Sequence, residues 1–159
     1  MIKVTLQSKG LKGSEVKIQT RMVVLLGVAL FMLTSAFAAD GSTKKCTQLQ
    51  AMQAEKEADY LNNWDQMYRS YRRFSQCDDG GIAEGYSDSI TKLLADDWRS
   101  FNRLLALTNR NTGFRGFVLK HIDETVPADR LAKIAKNARS ECAARGRDLC
   151  FSIAKATGE

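Results

Sequence analysis

The sequence predicts an all-α fold, a small bundle of four to five helices stapled by disulfides. After residue 39 the chain contains only two valines, Val118 and Val126, and no alternating run of β-branched residues that could form a sheet. Apolar side chains instead recur at spacings of three and four residues, which is the period of one helix face. The four cysteines, an even number, favour disulfide bonds in an oxidising compartment.

The first long helix is marked by an aromatic-rich seam with intervals of four, three, four and three residues. Its members are Tyr60, Trp64, Met67, Tyr71 and Phe74. This spacing predicts a helix over about residues 55–76, with a start as early as Thr47. The same register places the arginines of the run Tyr68–Arg73 on the solvated side.

A second long helix is predicted from about Ile82 to Leu107, after the turn Cys77–Gly81. Gly81 is its expected N-cap, with Glu84 three residues on as half of a capping box. The apolar stripe comprises Tyr86, Ile90, Leu93, Leu94, Trp98, Phe101, Leu104 and Leu105. Gly85, Ser87 and Ser89 are small residues that would let another helix approach closely.

Three shorter helices complete the predicted bundle. A turn at Thr108–Gly113 precedes a third helix that carries Phe114, Phe117 and Val118. Pro127 suits the first position of a fourth helix. Arg145–Gly146 ends that helix, and Asp148 can cap a fifth one.

Residues 1–38 have the features of a secretory signal peptide. Arg21 precedes eighteen uncharged residues, Met22–Ala39, which end in the small-x-small sequence Ala36–Ala38. Cleavage after Ala38 would leave residues 39–159 as a single helical domain outside the cytoplasm, periplasmic or secreted. A retained membrane anchor is the rival interpretation, but eighteen residues lie at the short end of a membrane span.

Removal of this leader changes the charge of the protein. The leader holds five of the 24 basic residues and one of the 18 acidic residues, so the remaining chain has a net charge of +2. A strongly basic domain would favour nucleic-acid binding. The near-neutral exported chain predicts neither a nucleic-acid partner nor a membrane partner.

The four cysteines are Cys46, Cys77, Cys142 and Cys150. One continuous helix over residues 48–76 would separate its ends by about 43 Å, too far for Cys46 to reach Cys77. A helix break near Asn62 and Asn63 would restore that pair. We favour the continuous helix, in which Cys77 bonds to Cys142 or Cys150 in the C-terminal region.

No catalytic, metal or cofactor site is predicted. His121 is the only histidine, and a hydrolase would need it beside a serine and an acid, for which Ser87, Ser89 and Asp88 are available. No nucleophile-elbow motif is present, so packing is the preferred role of His121. The run Asp78–Gly81 lacks the ligand order of a calcium loop and is better explained by capping and turn formation.

The run Cys77–Trp98, together with Phe117–Asp123, Cys142 and Cys150, resembles a group of small exported proteobacterial proteins of largely unknown function. In size, export and its helical hairpin with cysteines, the chain also resembles periplasmic immunity proteins of type VI secretion amidase effectors. That second resemblance implies a protein that plugs the active site of a secreted effector enzyme, without catalysis of its own, and a homodimer as a further option.

The function expected from these features is that of an exported binding or inhibitor protein. The expected contact surface is the loop and helix start from residue 78 to 88. Its candidate partner-binding residues are Asp78, Asp79, Glu84, Tyr86 and Asp88. A small periplasmic hydrolase that uses His121, and an envelope-stress or structural factor, are the alternatives.

Overall fold

The computed structural model describes residues 45–158, which belong to one compact unit. Seven α-helices and three short 3₁₀ turns make up this part of the chain, and it contains no strand. The helices are α1 (Gln48–Ala58), α2 (Trp64–Phe74), α3 (Gly80–Asp96), α4 (Phe101–Arg110), α5 (Thr112–Lys120), α6 (Ala128–Ser140) and α7 (Arg147–Ala156). The predicted all-α, disulfide-bearing fold is confirmed, while the predicted signal peptide and its cleavage after Ala38 lie outside the described residues.

Seven helices replace the expected four or five because both long predicted helices are interrupted. The first breaks after Asp59, the C-cap of α1, and resumes after Asn63. The side chain of Asn63 accepts a hydrogen bond from the backbone N–H of Gln66, the capping bond that such residues favour over a helix interior. Tyr60 therefore lies in the turn with 78% of its surface exposed, so its assignment to the apolar seam was wrong.

The second long helix breaks at Asp97, which leaves α3 and α4 as separate helices joined by the 3₁₀ turn Trp98–Ser100. Ser100 donates a hydrogen bond to the carbonyl of Asp97, and the indole of Trp98 donates one to the carbonyl of Glu141. The apolar stripe continues through the break because the turn redirects the chain over the same core. The N-cap of α3 is Asp79 rather than the predicted Gly81, since the carboxylate of Asp79 accepts from the first helical N–H.

The other three helices are present, but two of their predicted limits were wrong. The predicted turn Thr108–Gly113 is reduced to Asn111 between α4 and α5, and α6 ends at Ser140 rather than at Arg145–Gly146. Asn111 caps α5 through the backbone N–H of Phe114. Pro127 was predicted as the first helical residue, but it is the N-cap of α6, which begins at Ala128. Asp148 lies in the first turn of α7, whereas the N-cap residue itself is Gly146.

The core is central, and α3 is its main contributor. Buried side chains from every helix pack into one cluster, among them Trp64, Tyr86, Leu104, Phe114 and Ile153. Helix α1 comes so close to α3 that a Cβ on Gly85 would lie 2.8 Å from the Cβ of Ala58. The predicted role of the small residues in α3 is thereby explained, and Ser89 adds a hydrogen bond to the Ala58 carbonyl.

All four cysteines are in disulfides, as predicted, but the favoured pairing was wrong. Cys46 bonds to Cys77, and Cys142 bonds to Cys150. The break at residues 59–63 folds α2 back along α1, so that the Cα atoms of Cys46 and Cys77 lie 4.9 Å apart. The reasoning that excluded this pair depended on one straight helix. Across residues 45–158, the helices lack the length and apolar content that a bilayer span requires.

Candidate functional site

The predicted contact surface begins with a turn that is held in place on both sides. We call residues 78–84 the anchored turn. Cys77, which precedes it, is tied to Cys46, and Asp78 points inward with only 8% of its side chain exposed. The Asp78 carboxylate accepts a hydrogen bond from Lys120 Nζ at 2.8 Å and lies 3.2 Å from Nε2 of His121. The covalent bond and these two contacts fix the position from which the turn projects.

The five predicted partner-binding residues divide between surface and interior. Asp79 and Glu84 are exposed, as a contact surface requires. Asp88 is half-buried and pairs with Lys92 and Arg130. Asp78 is used internally, and Tyr86 is fully buried, so neither side chain can face a partner of the folded protein.

The pKa of Asp78 reflects opposing effects. Burial by itself raises the pKa of this carboxyl group. The side-chain contacts with His121 and Lys120 outweigh burial, so the pKa lies below the ordinary aspartate value. Asp78 is therefore ionised at neutral pH, and its charge contributes to the stability of the fold.

Two residues of α3, Tyr86 and Asp88, show the same competition with different outcomes. Burial raises the pKa of Tyr86, and the hydrogen bond that its hydroxyl shares with Ser70 at 2.9 Å does not offset this. For Asp88, burial is outweighed by hydrogen bonds from Lys92 and Arg130, so its pKa is lowered. Tyr86 stays neutral and packs as a core residue, whereas Asp88 stays charged.

His121 is brought together with a serine and an acid. Its Nδ1 lies 2.9 Å from the Ser87 hydroxyl, while Nε2 faces Asp78. The ring packs against Phe117 with centroids 4.5 Å apart, and more distantly against Tyr86. Ser87 was among the serines predicted to be available to His121, whereas the acid is Asp78 rather than the predicted Asp88.

The Ser87–His121–Asp78 group differs from a hydrolytic triad in access and in order. His121 is 2% exposed and Ser87 is 7% exposed, so a substrate carbonyl cannot reach the hydroxyl in the folded state. In a serine hydrolase, Nε2 of the histidine faces the serine and Nδ1 faces the acid, and here the two nitrogens are exchanged. The Nε2–Asp78 contact is also not an aligned hydrogen bond. The group fits a structural role, in which it joins the anchored turn to α3 and the end of α5.

Sequence reasoning missed a second surface, a concave groove between α1 and α2. Its volume is about 830 Å³. We call it the cationic groove, and its lining consists of Gln53, Lys56, Glu57, Tyr60, Leu61, Gln66, Arg69, Ser70, Arg72 and Arg73. The arginines of the run Tyr68–Arg73 are on the solvated side as predicted, but they face a groove rather than open solvent. The predicted continuous helix hid this surface, because only a folded-back hairpin creates it.

No group of three or more His, Cys, Asp or Glu side chains converges as a metal site within residues 45–158. No family model matches the chain, and its comparison with curated proteins and with solved structures gives no significant match.

Proposed function

We propose that the protein is an exported binding or inhibitor protein that acts by protein–protein contact through the anchored turn. The observation that supports this proposal most is the combination of exposed acidic side chains, Asp79 and Glu84, with an anchored backbone. A preorganised loop loses less conformational entropy on binding than a free one does. The partner class implied by the resemblance to immunity proteins is a secreted effector enzyme.

The chemistry of the turn suits such a contact. Its glycines, Gly80 and Gly81, have open space where a Cβ would stand, so a partner can approach the backbone closely. Gly80 has a φ of +52°, which favours glycine at this position. Two carboxylates beside an accessible backbone provide both charge and hydrogen-bonding groups.

The test is a quantitative binding measurement with an identified partner. The tagged protein is used to isolate a partner from periplasmic extract, and the purified pair is then measured by calorimetry. We expect Asp79→Asn with Glu84→Gln to weaken binding by about tenfold or more, as loss of charged contacts at an interface does. Asparagine preserves the helix cap, so the fold is retained.

A matched control removes two exposed acids elsewhere. Glu124→Gln with Asp129→Asn makes the same change in net charge and should leave binding unchanged. Equal weakening by both double variants would indicate long-range electrostatics rather than contact at the turn. Failure to recover any stoichiometric partner would count against the proposal as a whole.

The Ser87–His121–Asp78 group gives one alternative, a small periplasmic hydrolase, a defined set of residues to test. An activity screen on peptidoglycan and ester substrates with wild type, Ser87→Ala and His121→Ala tests it. We expect no turnover that depends on Ser87. An activity that Ser87→Ala abolishes while the melting temperature is unchanged would establish the hydrolase instead.

A further inference from the structure

We infer that the cationic groove is a second docking site and that its occupant is an acidic, amphipathic segment of a partner protein. This inference concerns a surface outside the anchored turn and stands independently of the function proposed there. It rests on an imbalance of charge, on a cluster of exposed apolar side chains and on the rigidity of the groove walls.

The charge of the groove is not balanced by its own residues. Four basic side chains, Lys56, Arg69, Arg72 and Arg73, line it against a single acid, Glu57. That acid is occupied by Arg73, whose Nη1 lies 2.9 Å from its Oε1. Three positive charges therefore remain in the groove, although the chain after residue 38 carries a net charge of only +2.

Asp65, an acid outside the groove, does not neutralise it. Asp65 lies in the first turn of α2 and receives hydrogen bonds from Arg103, which lower its pKa more than any other effect. Arg69 acts on Asp65 only at longer range. Within residues 45–158, Lys56 and Arg72 form no ion pair or side-chain hydrogen bond. These cations are available to carboxylates from outside.

Most of the large hydrophobic side chains that are exposed in the described residues belong to α1 and to the turn that follows it. Three of the four large hydrophobic side chains exposed in the described part of the chain are Leu49, Met52 and Tyr60, at 66%, 61% and 78%. At about 100° per residue, Leu49 and Met52 fall within one stripe of α1 with Lys56, a residue of the groove wall. Arginine, tyrosine and methionine are the side chains enriched at protein interfaces.

The groove walls are fixed before any partner binds. The Cys46–Cys77 disulfide closes one end of the α1–α2 hairpin, and the Arg73–Glu57 pair crosses it. At the floor, Leu61 is buried and the Ser70 hydroxyl is already satisfied by Tyr86. The groups of the groove that remain free to bind a partner are thus basic and apolar side chains. The helices that carry them are already in place.

The matching occupant carries carboxylates on one side and apolar side chains on the other. Each wall is an eleven-residue helix, about 16 Å long, which suits a short helical or extended segment of protein. A nucleic acid is uniformly anionic and would leave Leu49 and Met52 uncovered. The mixture of charge and apolar surface favours a protein segment.

Binding of a defined peptide tests the inference. The probe is a fluorescein-labelled helical peptide of about fifteen residues, long enough for partial helicity, with Glu on one face and Leu on the other. Matched peptides carry Gln or Lys in place of Glu. Fluorescence anisotropy should show that the Glu peptide binds at least about tenfold more tightly than the Gln peptide, with affinity that falls as salt rises. The Lys peptide should not bind.

Variants locate the binding. Arg69→Glu with Arg72→Glu should lower the affinity for the Glu peptide by about tenfold or more, and Tyr60→Ala should lower it several-fold. The control Lys136→Glu with Arg147→Glu makes the same change in net charge on exposed positions of α6 and α7 and should bind as wild type does. The turn variant Asp79→Asn with Glu84→Gln should also bind normally, which separates this site from the one proposed above.

Several outcomes would overturn the inference. Equal affinity for the Glu and Gln peptides would show that the arginines do not bind the carboxylates of the peptide. Absence of binding at about 1 mM peptide would show that the groove is not a peptide-binding site. Anionic vesicles or an oligonucleotide could instead bind more tightly than the Glu peptide does. If that binding depended on Arg69 and Arg72, the groove would belong to another class of ligand. Self-association that the same arginine changes abolish, seen by light scattering, would make a second copy of this chain the occupant.

Discussion

The N-terminal hairpin and the C-terminal helix pair each carry one disulfide, yet they depend on it differently. Cys46–Cys77 closes a loop of 31 residues, and the buried residues around it form a small separate cluster with Ala54 and Phe74. Cys142–Cys150 spans eight residues, and Cys150 belongs to the main core. The N-terminal disulfide thus lies in a small cluster of its own at one end of the hairpin, whereas the C-terminal one is joined to the main core through Cys150.

This difference places the candidate binding surfaces at one end of the chain. The cationic groove and the anchored turn both adjoin the hairpin and its disulfide. Helices α1 and α6 both pack against α3, and α7 packs against α6. The comparison teaches that the end of the hairpin that Cys46–Cys77 closes, rather than a region without core packing, carries the candidate contact residues.

The largest effect expected is loss of the N-terminal disulfide. In the chain-entropy estimate, Cys46→Ser with Cys77→Ser lowers the free energy of unfolding by about 4 kcal/mol, against about 2.5 kcal/mol for Cys142→Ser with Cys150→Ser. Urea unfolding of the two double variants measures the difference directly. Equal losses, or a greater loss at the C-terminal pair, would break the comparison.

Gly85 tests how the hairpin is held to the core. A Cβ at this position would lie 2.5 Å from Oδ1 of Asp59 and 2.8 Å from the Cβ of Ala58. Gly85→Ala should therefore push α1 from α3 and cost about 1–3 kcal/mol, despite the better helix propensity of alanine. Gly116→Ala is the control, because a Cβ there meets nothing within 4 Å, and it should be neutral or stabilising. Thermal unfolding compares the two, and similar melting temperatures would refute the close packing.

Asp78 links the anchored turn to α5, and its charge should have a measurable pH signature. Because its folded pKa is depressed, its ionised form contributes stability above the ordinary carboxyl range, and this contribution is lost as pH falls below about 4. Asp78→Asn should cost about 1–3 kcal/mol at pH 7, since it weakens the contacts of His121 and Lys120.

The difference in free energy of unfolding between wild type and Asp78→Asn should become smaller as the solution is acidified. Denaturant unfolding at neutral pH and below pH 4 measures it. Asp79→Asn, the exposed neighbour, keeps its cap and serves as the control for the loss of one carboxylate from the anchored turn. A deficit that is independent of pH would show that the charge of Asp78 contributes nothing.

The smallest effect is expected at the exposed apolar residues of α1. Leu49→Ser with Met52→Ser should change the free energy of unfolding by no more than about 0.5 kcal/mol per site, because neither side chain packs into the core. The same variant should lower the affinity of the cationic groove for the Glu peptide. A large loss of stability would mean that these residues support the hairpin rather than face a partner.

Much of the fold followed from local patterns. The absence of β-branched runs and the 3–4 spacing of apolar residues sufficed for an all-α assignment, because helix periodicity is a property of neighbouring residues. Most of the predicted stripe is buried, including Trp64, Ile90, Leu94 and Phe101. The break near Asn62 and Asn63 was an alternative that was not favoured, and the break at Asp97 was missed, because the apolar spacing on the two sides of each break is compatible with one helix.

The candidate sites depended more on tertiary structure. Asp79 and Glu84 are exposed as the sequence suggested, but the burial of Asp78 and Tyr86 results from contacts with Lys120, His121 and Ser70, which are distant in the chain. The cationic groove likewise needs α2 to fold back on α1. The Asn62–Asn63 pair was the available signal for that reversal.

The sequence alone determined that this chain forms helices, which faces those helices bury and that all four cysteines form disulfides. Tertiary structure decided the pairing Cys46–Cys77 and Cys142–Cys150, the inward turn of Asp78 and the exposure of Tyr60. The physical reason is range. Helical periodicity is set within a few residues, whereas the Cys46–Cys77 disulfide joins residues 31 apart and the Asp78–Lys120 contact joins residues 42 apart, so both need the whole fold to bring their partners together.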